Sequence, residues 1–510
     1  DMKINVLEYL EQTVDHFPAK IALRDDKNSV TFAQWLAQAQ SIGTALSEAI
    51  NGDVRRPVLV FVDRCIEGLI GFMGVVESGN FYVPIDCKMP AERIRLIAGE
   101  LNPVAAVIFT DADEKALDSI GFSGIRLVYS RIKDVEPNYE ILECIRQGMI
   151  DMDPLYAIFT SGSTGIPKGV VISHRGVIDL AEWLVNTFGF TNDDSLGNQT
   201  PFYFDGSVKD IYITLKTGAT LNVIGKKYFS FPKLLVNFLN ERQITSILWA
   251  TSAMVLVGNS NILSENKPEC IDKVFFAGEA MPAKQLKVWQ RQLPKAMYVN
   301  LYGPTEITVD CTYYVVDHEF ADDEFIPIGR ECRNMQVLVF NNDNQLVKPG
   351  ESGELCVRGT GVALGYYGNK LKTEEVFVQN PLNNKYEDKI YRTGDIVRYN
   401  SVGVLEFVSR KDSQIKHMGN RIELGEIEVA VNSLPEVTNA ACIYDHENSK
   451  IVLFYTSSST QDLDIINGVK TKLPKYMFPN YVSRLEEMPY SLNGKIDRLE
   501  LKKIYATDKD

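Results

Sequence analysis

The stretch FTSGSTGIPKG, Phe159 to Gly169, begins at the last residue of the short apolar run LYAIF. It determines how we interpret the rest of the chain. Its glycines let backbone N–H groups approach an anion closely, its hydroxyl groups are further donors, and Lys168 adds a positive charge. We interpret it as a phosphate-binding loop that follows a buried strand. A Gly/Ser surface turn is the simpler alternative, but a string of this length after a strand favours phosphate binding.

The loop differs from the two common nucleotide-binding patterns. A Walker loop needs Gly directly before the Lys and Ser or Thr directly after it, whereas Pro167 precedes Lys168 and Gly169 follows it. The loop also lacks the pattern G-x-G-x-x-G, so a dinucleotide-binding fold has no support.

The composition limits the partners of the chain. Its 510 residues exceed what one core accommodates, so several subdomains are expected. The net charge of −14 gives no general attraction to nucleic acid or to an anionic membrane surface. No apolar run approaches the roughly 18 residues that span a bilayer. We therefore predict neither a nucleic-acid nor a membrane partner, and a local site for any polyanion such as ATP.

The cysteines and histidines indicate neither a metal site nor a disulfide framework. The eight cysteines contain no CxxC pair and the five histidines contain no HxxxH pair. Scattered thiols, and an N-terminal segment DMKINVLEYLEQ that is not a signal peptide, predict reduced cysteines in a cytoplasmic protein. Because the first residue is Asp rather than Met, a stand-alone enzyme and a part of a longer protein both remain open.

The pattern of apolar runs predicts the fold class. Up to about residue 303, strand-like runs such as PVLVFVD and KVFFAG alternate with helical patterns, which predicts α/β layers with parallel-type sheets. From about Ile326, turn signals separate short strands, which predicts a small antiparallel barrel or sheet. After Arg410 a small α+β domain is expected. We predict a large N-terminal domain, 1–410, and a small C-terminal domain, 411–510.

Six further segments extend the motif and carry a resemblance to a known family. They are YVPIDCKMPAERI from Tyr82, NLYGPTE from Asn300, GELCVRGTGVALGYYGN from Gly353, YRTGD from Tyr391, SRKDSQIKHMGNRIELGEIE from Ser409 and LNGKIDR from Leu492. With TSGSTGIPKG they resemble, in order and over essentially the whole chain, the motifs of the adenylate-forming enzymes. These are the acyl-CoA synthetases, luciferases and amino-acid adenylation domains. The resemblance implies two half-reactions: a carboxylate attacks the α-phosphate of ATP, and a thiol then expels AMP from the acyl-adenylate.

The resemblance also implies the nucleotide site, with ATP and Mg²⁺ as cofactors. Tyr302 would stack on adenine, Asp395 would accept from the ribose hydroxyls, and Arg410 would contact ribose or phosphate oxygens. Thr305 would contact the α-phosphate, and Glu306 would bind a magnesium ion that bridges phosphates. The remaining ATP contacts implied are Thr160, Ser161, Gly162, Ser163, Thr164, Gly165, Lys168 and Gly303.

Lys495 is the residue that the resemblance implies for catalysis. The Asn493-Gly494 turn would present its long cationic side chain at a tip, although an exposed lysine on a turn is the simpler alternative. Its ammonium would stabilise charge that shifts from carboxylate to phosphate as the anhydride forms. In the family the small domain then rotates for the thiol step. Asp412 matches the hinge, and Gly419 lies in a loop that would line a pantetheine tunnel.

The segment FDGSVKD, from Phe204, indicates which class of carboxylic acid is activated. In amino-acid-activating members the Asp at the place of Asp205 pairs with the α-ammonium of the substrate, and a partly buried carboxylate suits that role. The side-chain pocket implied by the same alignment contains Gly206, Lys209, Leu248, Phe275, Ala277, Leu301, Val309 and Asp310. A Lys209–Asp310 ion pair would narrow the pocket and favour a small side chain. Alternatively, one of the two charges meets a polar substrate.

We therefore predict an enzyme that adenylates an amino acid and transfers it to the phosphopantetheine thiol of a carrier protein. A D-alanine:carrier-protein ligase for teichoic acid modification is an alternative. Those ligases commonly have Cys where this chain has Ala277, and HMGNRIELGEIE looks more like the peptide-synthetase branch. An acyl-CoA ligase and an inactive nucleotide-binding module are further alternatives. The segment after Arg498 has no carrier motif, so the carrier would act in trans or as a missing downstream domain.

Overall fold

The computed structural model describes residues 2–161, 167–417, 420–473 and 475–509. Within these ranges the chain forms two large mixed sheets covered by helices, then a five-stranded antiparallel sheet, and finally a small α+β part. The predicted fold class is confirmed, with one difference in the sheets: their central strands are parallel, but one edge of the first sheet and both edges of the second are antiparallel.

The helices cover the faces of the sheets and are short. In chain order they span Leu7–His16, Phe32–Ala49, Glu67–Glu77, Ala91–Leu101, Asp111–Ser119, Tyr129–Ile132, Tyr139–Gly148, His174–Phe188, Val208–Thr217, Lys226–Ser230, Pro232–Glu241, Thr251–Asn259, Ile262–Glu265, Ala283–Gln292, Lys370–Val376, Leu424–Asn432, Asp462–Lys470 and Arg498–Lys509. Short 3₁₀ turns span Asp205–Ser207, Thr305–Ile307 and Lys475–Met477. Among the described residues, no helix combines the length and the apolar character that crossing a bilayer requires.

Local sequence explains where the helices begin and end. The Thr31 hydroxyl accepts from the backbone N–H of Gln34, whose side chain accepts in return from the N–H of Thr31, so a capping box starts helix Phe32–Ala49. Helix His174–Phe188 ends at Gly189, which has φ of 70° and adopts the left-handed conformation that favours glycine.

The first sheet carries the glycine-rich stretch. In spatial order its strands are Gly365–Tyr366, Pro167–Ser173, Pro154–Ser161, Phe81–Ile85, Pro57–Phe61, Ala105–Ile108 and Ile125–Val128. Strands Pro154–Ser161 and Pro167–Ser173 are antiparallel. The connection between them has too few residues for the crossover that parallel strands need. The predicted loop therefore joins two neighbouring strands of a hairpin.

The second sheet carries the strand ends that form the other side of the site. Its spatial order is Arg330–Glu331, Thr312–Val316, Met297–Tyr302, Lys273–Ala277, Ser246–Ala250, Ser195–Asn198, Thr220–Val223, Ile21–Arg24 and Ser29–Thr31. Leu248 pairs in register with Phe275, which pairs with Val299, and all three belong to the core that joins the two large sheets. Their neighbours Trp249 and Phe276 point to a second core on the opposite face.

The antiparallel part contains strands Met335–Phe340, Ser352–Gly359, Lys389–Tyr399, Phe377–Gln379 and Leu405–Arg410. The C-terminal part contains the hairpin of Gln414–His417 with Asn420–Glu423, and a sheet of Val437–Asp445, Lys450–Ser457 and Tyr481–Leu485. It buries its own cluster, which includes Ile427, Leu453 and Ile465. The division after residue 410 stays a proposal, which the end of strand Leu405–Arg410 and this separate cluster support.

Candidate active site

The glycine-rich hairpin places a lysine opposite a threonine. Thr160 pairs in register with Lys168, and the buried Thr160 Oγ1 has no hydrogen-bond partner among the described residues. The Lys168 Nζ lies 4.6 Å from the centre of the Tyr366 ring and 3.4 Å from its hydroxyl. The predicted residues Gly162, Ser163, Thr164 and Gly165 lie outside the described residues, and of Ser161 only the backbone is described.

Tyr366 links this lysine to the predicted magnesium ligand. Its hydroxyl donates to Glu306 Oε1 at 2.9 Å, and Glu306 is buried in the short turn Thr305–Ile307. Burial lowers the pKa of Lys168, and the nearby Glu306 carboxylate opposes that shift. Sequence reasoning missed Tyr366, although it lies in the quoted segment GELCVRGTGVALGYYGN, because its role depends on a contact across two sheets.

Asp395 is the centre of a second cluster, which contains four of the predicted residues. The Tyr302 hydroxyl donates to Asp395 Oδ2, and Arg410 Nη1 donates to Asp395 Oδ1 at 2.9 Å. Asp395 and Arg410 lie opposite each other on adjacent strands, and Arg410 Nε donates to Asp412 at 3.3 Å. Burial raises the pKa of Asp395, and Arg410 opposes that shift. Each Asp395 carboxylate oxygen thus accepts one hydrogen bond, and its remaining lone pair is available to a ligand.

The segment after Tyr302 has a strained backbone that places Glu306 and Asp310. Val309 has φ of 72°, and the N–H of Asp310 donates to the Thr308 carbonyl at 2.9 Å, so Val309 is the centre of a rare γ-turn. A Cβ on Gly303 would lie 2.4 Å from the Val309 carbonyl oxygen. Glycine is therefore required at position 303 by the close approach of this turn.

Asp205, the predicted partner of the substrate ammonium, is buried in the short turn Asp205–Ser207. Burial raises its pKa to about 6, and the positive charges of Lys209 and Lys495 oppose this shift. Lys209 forms an ion pair with Asp310, with Nζ 3.2 Å from Oδ2, which is the first of the two arrangements that the sequence left open. Lys209 thus has its own carboxylate partner, and Asp205 has no ion-pair partner among the described residues.

The other predicted pocket residues lie on neighbouring strands of the second sheet and in two turns, Asp205–Ser207 and the segment around Val309. Leu248, Phe275, Leu301 and Val309 are buried, whereas Ala277 and Gly206 are partly exposed. The Phe275 ring contacts the Phe188 ring, with centroids 4.9 Å apart. The structure therefore brings this predicted set into one region at the end of the second sheet.

Lys495 reaches this region from the C-terminal part. Gly494, with φ of 74°, forms the tip of its turn, and the turn contacts the large part through Tyr203 and Glu279. Burial raises the pKa of both Asp205 and Asp395, and the charge of Lys495 opposes both shifts. Its ammonium is thus close enough to influence both Asp205 and Asp395, the carboxylates of the predicted substrate and nucleotide sites, which suits a cation that stabilises charge passing between them.

Comparisons with known proteins identify the class. Residues 10–367 match the AMP-binding enzyme family, and residues 426–495 match the AMP-binding enzyme C-terminal domain. The chain belongs to the AMP-binding enzyme family. This confirms the resemblance to adenylate-forming enzymes and the prediction of an ATP-dependent, AMP-forming acid–thiol ligase.

Particular relatives place the chain within that class. Zwittermicin A synthase ZmaJ of Bacillus cereus is 31% identical, over 98% of this chain and 94% of that protein. A D-alanine–D-alanyl carrier protein ligase of Staphylococcus aureus is 30% identical, over 98% and 99%. Tyrocidine synthase 1 of Brevibacillus parabrevis is also 30% identical, but this chain spans only 45% of its length.

Solved structures agree on the fold. The four-domain nonribosomal peptide synthetase AB3403, bound to AMP and glycine, has a TM-score of 0.83 and 26% identity, over 97% of this chain and 36% of that one. IdnL7 has a TM-score of 0.84 over the full length of both chains, with 23% identity. The second of these likenesses shows the fold alone.

Proposed function

We propose that the chain activates an amino acid with ATP, releases pyrophosphate, and transfers the aminoacyl group to the phosphopantetheine thiol of a carrier protein. The observation that carries the proposal is the charge balance around Asp205. Its neighbour Lys209 is already paired with Asp310 at 3.2 Å, so the buried Asp205 needs a cation from the ligand. The α-ammonium of an amino acid supplies that cation.

In the first half-reaction the residues would act mainly by position and charge. Asp205 holds the ammonium, so that the substrate carboxylate points toward the α-phosphate. Lys495 and Thr305 stabilise the oxygens whose charge changes in the transition state. Lys168 and the hairpin around it neutralise the phosphates, and Tyr302, Asp395 and Arg410 orient the adenosine.

The residues present fit a magnesium ion at Glu306. This carboxylate is buried, its Oε1 accepts from Tyr366, and its Oε2 has no hydrogen-bond partner among the described residues. One protein carboxylate plus phosphate oxygens and water is a typical magnesium environment. When bound, the ion would neutralise phosphate charge and favour departure of pyrophosphate.

For the second half-reaction, residues 411–510 would rotate about Asp412, which lies exposed beside Arg410. Gly419, the proposed tunnel residue, lies outside the described residues. The carrier thiol would come from another chain or from a further domain of a longer protein. Rotation would also carry Lys495 away and open access to the acyl carbon.

The second candidate is a D-alanine:carrier-protein ligase. The Lys209–Asp310 pair occupies pocket volume and favours a small side chain, and the Staphylococcus aureus ligase matches at nearly full length. Ala277 differs from the Cys common in that group. An acyl-CoA ligase would not need Asp205, and an inactive module would not need Lys495 beside the site.

The deciding experiment is amino-acid-dependent exchange of pyrophosphate into ATP across the proteinogenic amino acids, D-alanine, and several aryl and fatty acids. Lys495→Ala is expected to reduce exchange by roughly 10²–10³-fold. The matched control is Lys502→Ala, which changes an exposed lysine of the following helix. Exchange with D-alanine alone supports the second candidate. Exchange only with acids that lack an amino group contradicts the role of Asp205, and no exchange despite ATP binding contradicts the proposal.

A further inference from the structure

Two side chains of the large part hold the turn that carries Lys495, one on each side of the lysine. The Tyr203 hydroxyl donates to the Leu492 carbonyl at 3.2 Å, before the lysine. After the lysine, the backbone N–H of Ile496 donates to Glu279 Oε1 at 2.9 Å. The two bonds thus engage the turn backbone both before and after the lysine in sequence, so together they restrict the position and the orientation of the turn.

The tip of the same turn also lies against the large part. Within the turn, the N–H of Gly494 donates to the Ser491 carbonyl at 2.9 Å, and the N–H of Ser491 donates to the Lys495 carbonyl at 2.7 Å. A Cβ on Gly494 would lie 3.2 Å from Ser252 Oγ, which is a tight contact. The turn is thus rigid in itself, and its placement on the large part depends on the contacts at its edges.

Each of the two side chains belongs to a segment that also supplies the proposed amino-acid pocket. Tyr203 lies two residues before Asp205, and Glu279 lies two residues after Ala277. In the second segment, the Thr251 hydroxyl ties the pocket residue Ala277 to Glu279, since it lies 3.2 Å from the Ala277 carbonyl oxygen and 3.1 Å from the Glu279 carbonyl oxygen. A ligand that orders the pocket would therefore also order the groups that hold the lysine turn.

We propose that Tyr203 and Glu279 are positioning residues that latch the Lys495 turn for adenylation and release it for the thiol step. This inference rests on the proposed function. It adds the two residues through which binding of the amino acid would affect the position of Lys495. Both bonds are made to backbone atoms, so they hold the turn without engaging the catalytic ammonium.

The contacts are suited to reversible use. Burial raises the pKa of Glu279, and the hydrogen bond from Ile496 opposes that shift. When the turn moves away, the Glu279 carboxylate loses the N–H donor but gains hydrogen bonds from water. The difference in free energy between the docked and released states therefore stays small. A small difference is what allows a ligand to shift the population between two arrangements.

The test separates the half-reactions in the full chain, using the amino acid found by pyrophosphate exchange. Tyr203→Phe and Glu279→Ala are each expected to slow single-turnover adenylate formation about tenfold, the value of one lost hydrogen bond. Thioester formation from purified aminoacyl-adenylate, with D-pantetheine as the thiol, is expected to keep its rate or increase. Glu279→Gln retains an acceptor oxygen and should recover most of the adenylation rate.

The matched control is Tyr228→Phe, which removes a tyrosine hydroxyl bonded to Asp26 at 2.8 Å and outside the contacts of the turn. A second readout uses the Lys495→Ala background. There, Glu279→Ala should cause no further loss of adenylation, because a positioning residue acts only through the lysine it places.

The latch is disproved if both half-reactions slow equally in Glu279→Ala, if adenylation is unchanged in both variants, or if the loss persists in the Lys495→Ala background. Failure of the proposed function gives a different result, because the unaltered chain would then show no exchange with any amino acid.

Discussion

Lys209 Nζ lies 3.2 Å from Asp310 Oδ2, and the two side chains are only 4% and 1% exposed. A hundred residues of chain separate them, so this ion pair exists only because the fold brings the start of helix Val208–Thr217 next to the segment just before strand Thr312–Val316. In the proposed function, this pair neutralises two charges of the amino-acid pocket and leaves Asp205 to bind the ligand. It would also occupy space that a substrate side chain could otherwise fill.

Removing one member of this pair should destabilise the protein strongly. Lys209→Met leaves Asp310 buried without its cation, and a loss of about 3–5 kcal/mol in the free energy of unfolding is expected. The double variant Lys209→Met/Asp310→Leu should recover most of that loss, because both charges are then absent. Thermal and urea unfolding measure the difference. Equal instability of the single and double variants would contradict the pairing.

The affinity for the amino acid should depend on pH through Asp205. Its pKa is raised to about 6 by burial, against the opposing charges of Lys209 and Lys495. Below that pH the carboxyl is protonated and loses its attraction for ammonium, so kcat/KM should fall as pH decreases through about 6 in exchange assays. Asp205→Asn should show a low kcat/KM without this inflection. A profile of identical shape in that variant would refute the assignment.

The same shift predicts an effect on stability with a definite sign. The folded state binds the Asp205 proton more tightly than the unfolded state does, so this residue makes the free energy of unfolding fall as pH rises toward and through about 6. Asp205→Asn should therefore be at least as stable as the unaltered protein at neutral pH, despite its loss of activity. Calorimetry on both sides of that pH tests the prediction.

Tyr366→Phe should weaken the use of magnesium and ATP. The change removes the hydroxyl that donates to Glu306 and contacts Lys168, so both groups lose their orientation. A supporting bond of this kind is worth roughly 10–100-fold in metal affinity or activity. Titration of exchange activity with magnesium measures the effect. The control is Tyr367→Phe, because this ring packs on Phe81, and equal losses in the two variants would contradict the role of Tyr366.

Gly303→Ala should damage the site through the backbone. A Cβ would lie 2.4 Å from the Val309 carbonyl oxygen, so the γ-turn must move, and a loss of about 1–3 kcal/mol in stability is expected together with lower exchange activity. Gly99→Ala is the matched control: it is exposed in helix Ala91–Leu101 with open space around it. That change should be neutral or stabilising by up to about 1 kcal/mol.

Much of the fold could be predicted from sequence periodicity. Buried strands such as Pro57–Phe61 and Phe81–Ile85 are short, continuously apolar runs, and the turn signals after Ile326 predicted the antiparallel part. The antiparallel edges could not be predicted with equal ease, because apolar runs do not specify strand direction. The hairpin at Thr160–Lys168 shows this, since its residues predicted a loop after a strand but not the returning strand beside it.

The sequence by itself determined the class of chemistry, because the residue types of the motifs, from the glycine-rich hairpin to Lys495, have the chemical properties that phosphate and acyl transfer require. Only the tertiary structure decided which of them meet. The Tyr366–Glu306 contact, the Lys209–Asp310 pair and the Tyr203–Leu492 bond each join residues distant in the chain. The physical reason is that burial and distance, which determine the strength of a charge interaction or a hydrogen bond, arise from the packing of sheets and domains rather than from local sequence.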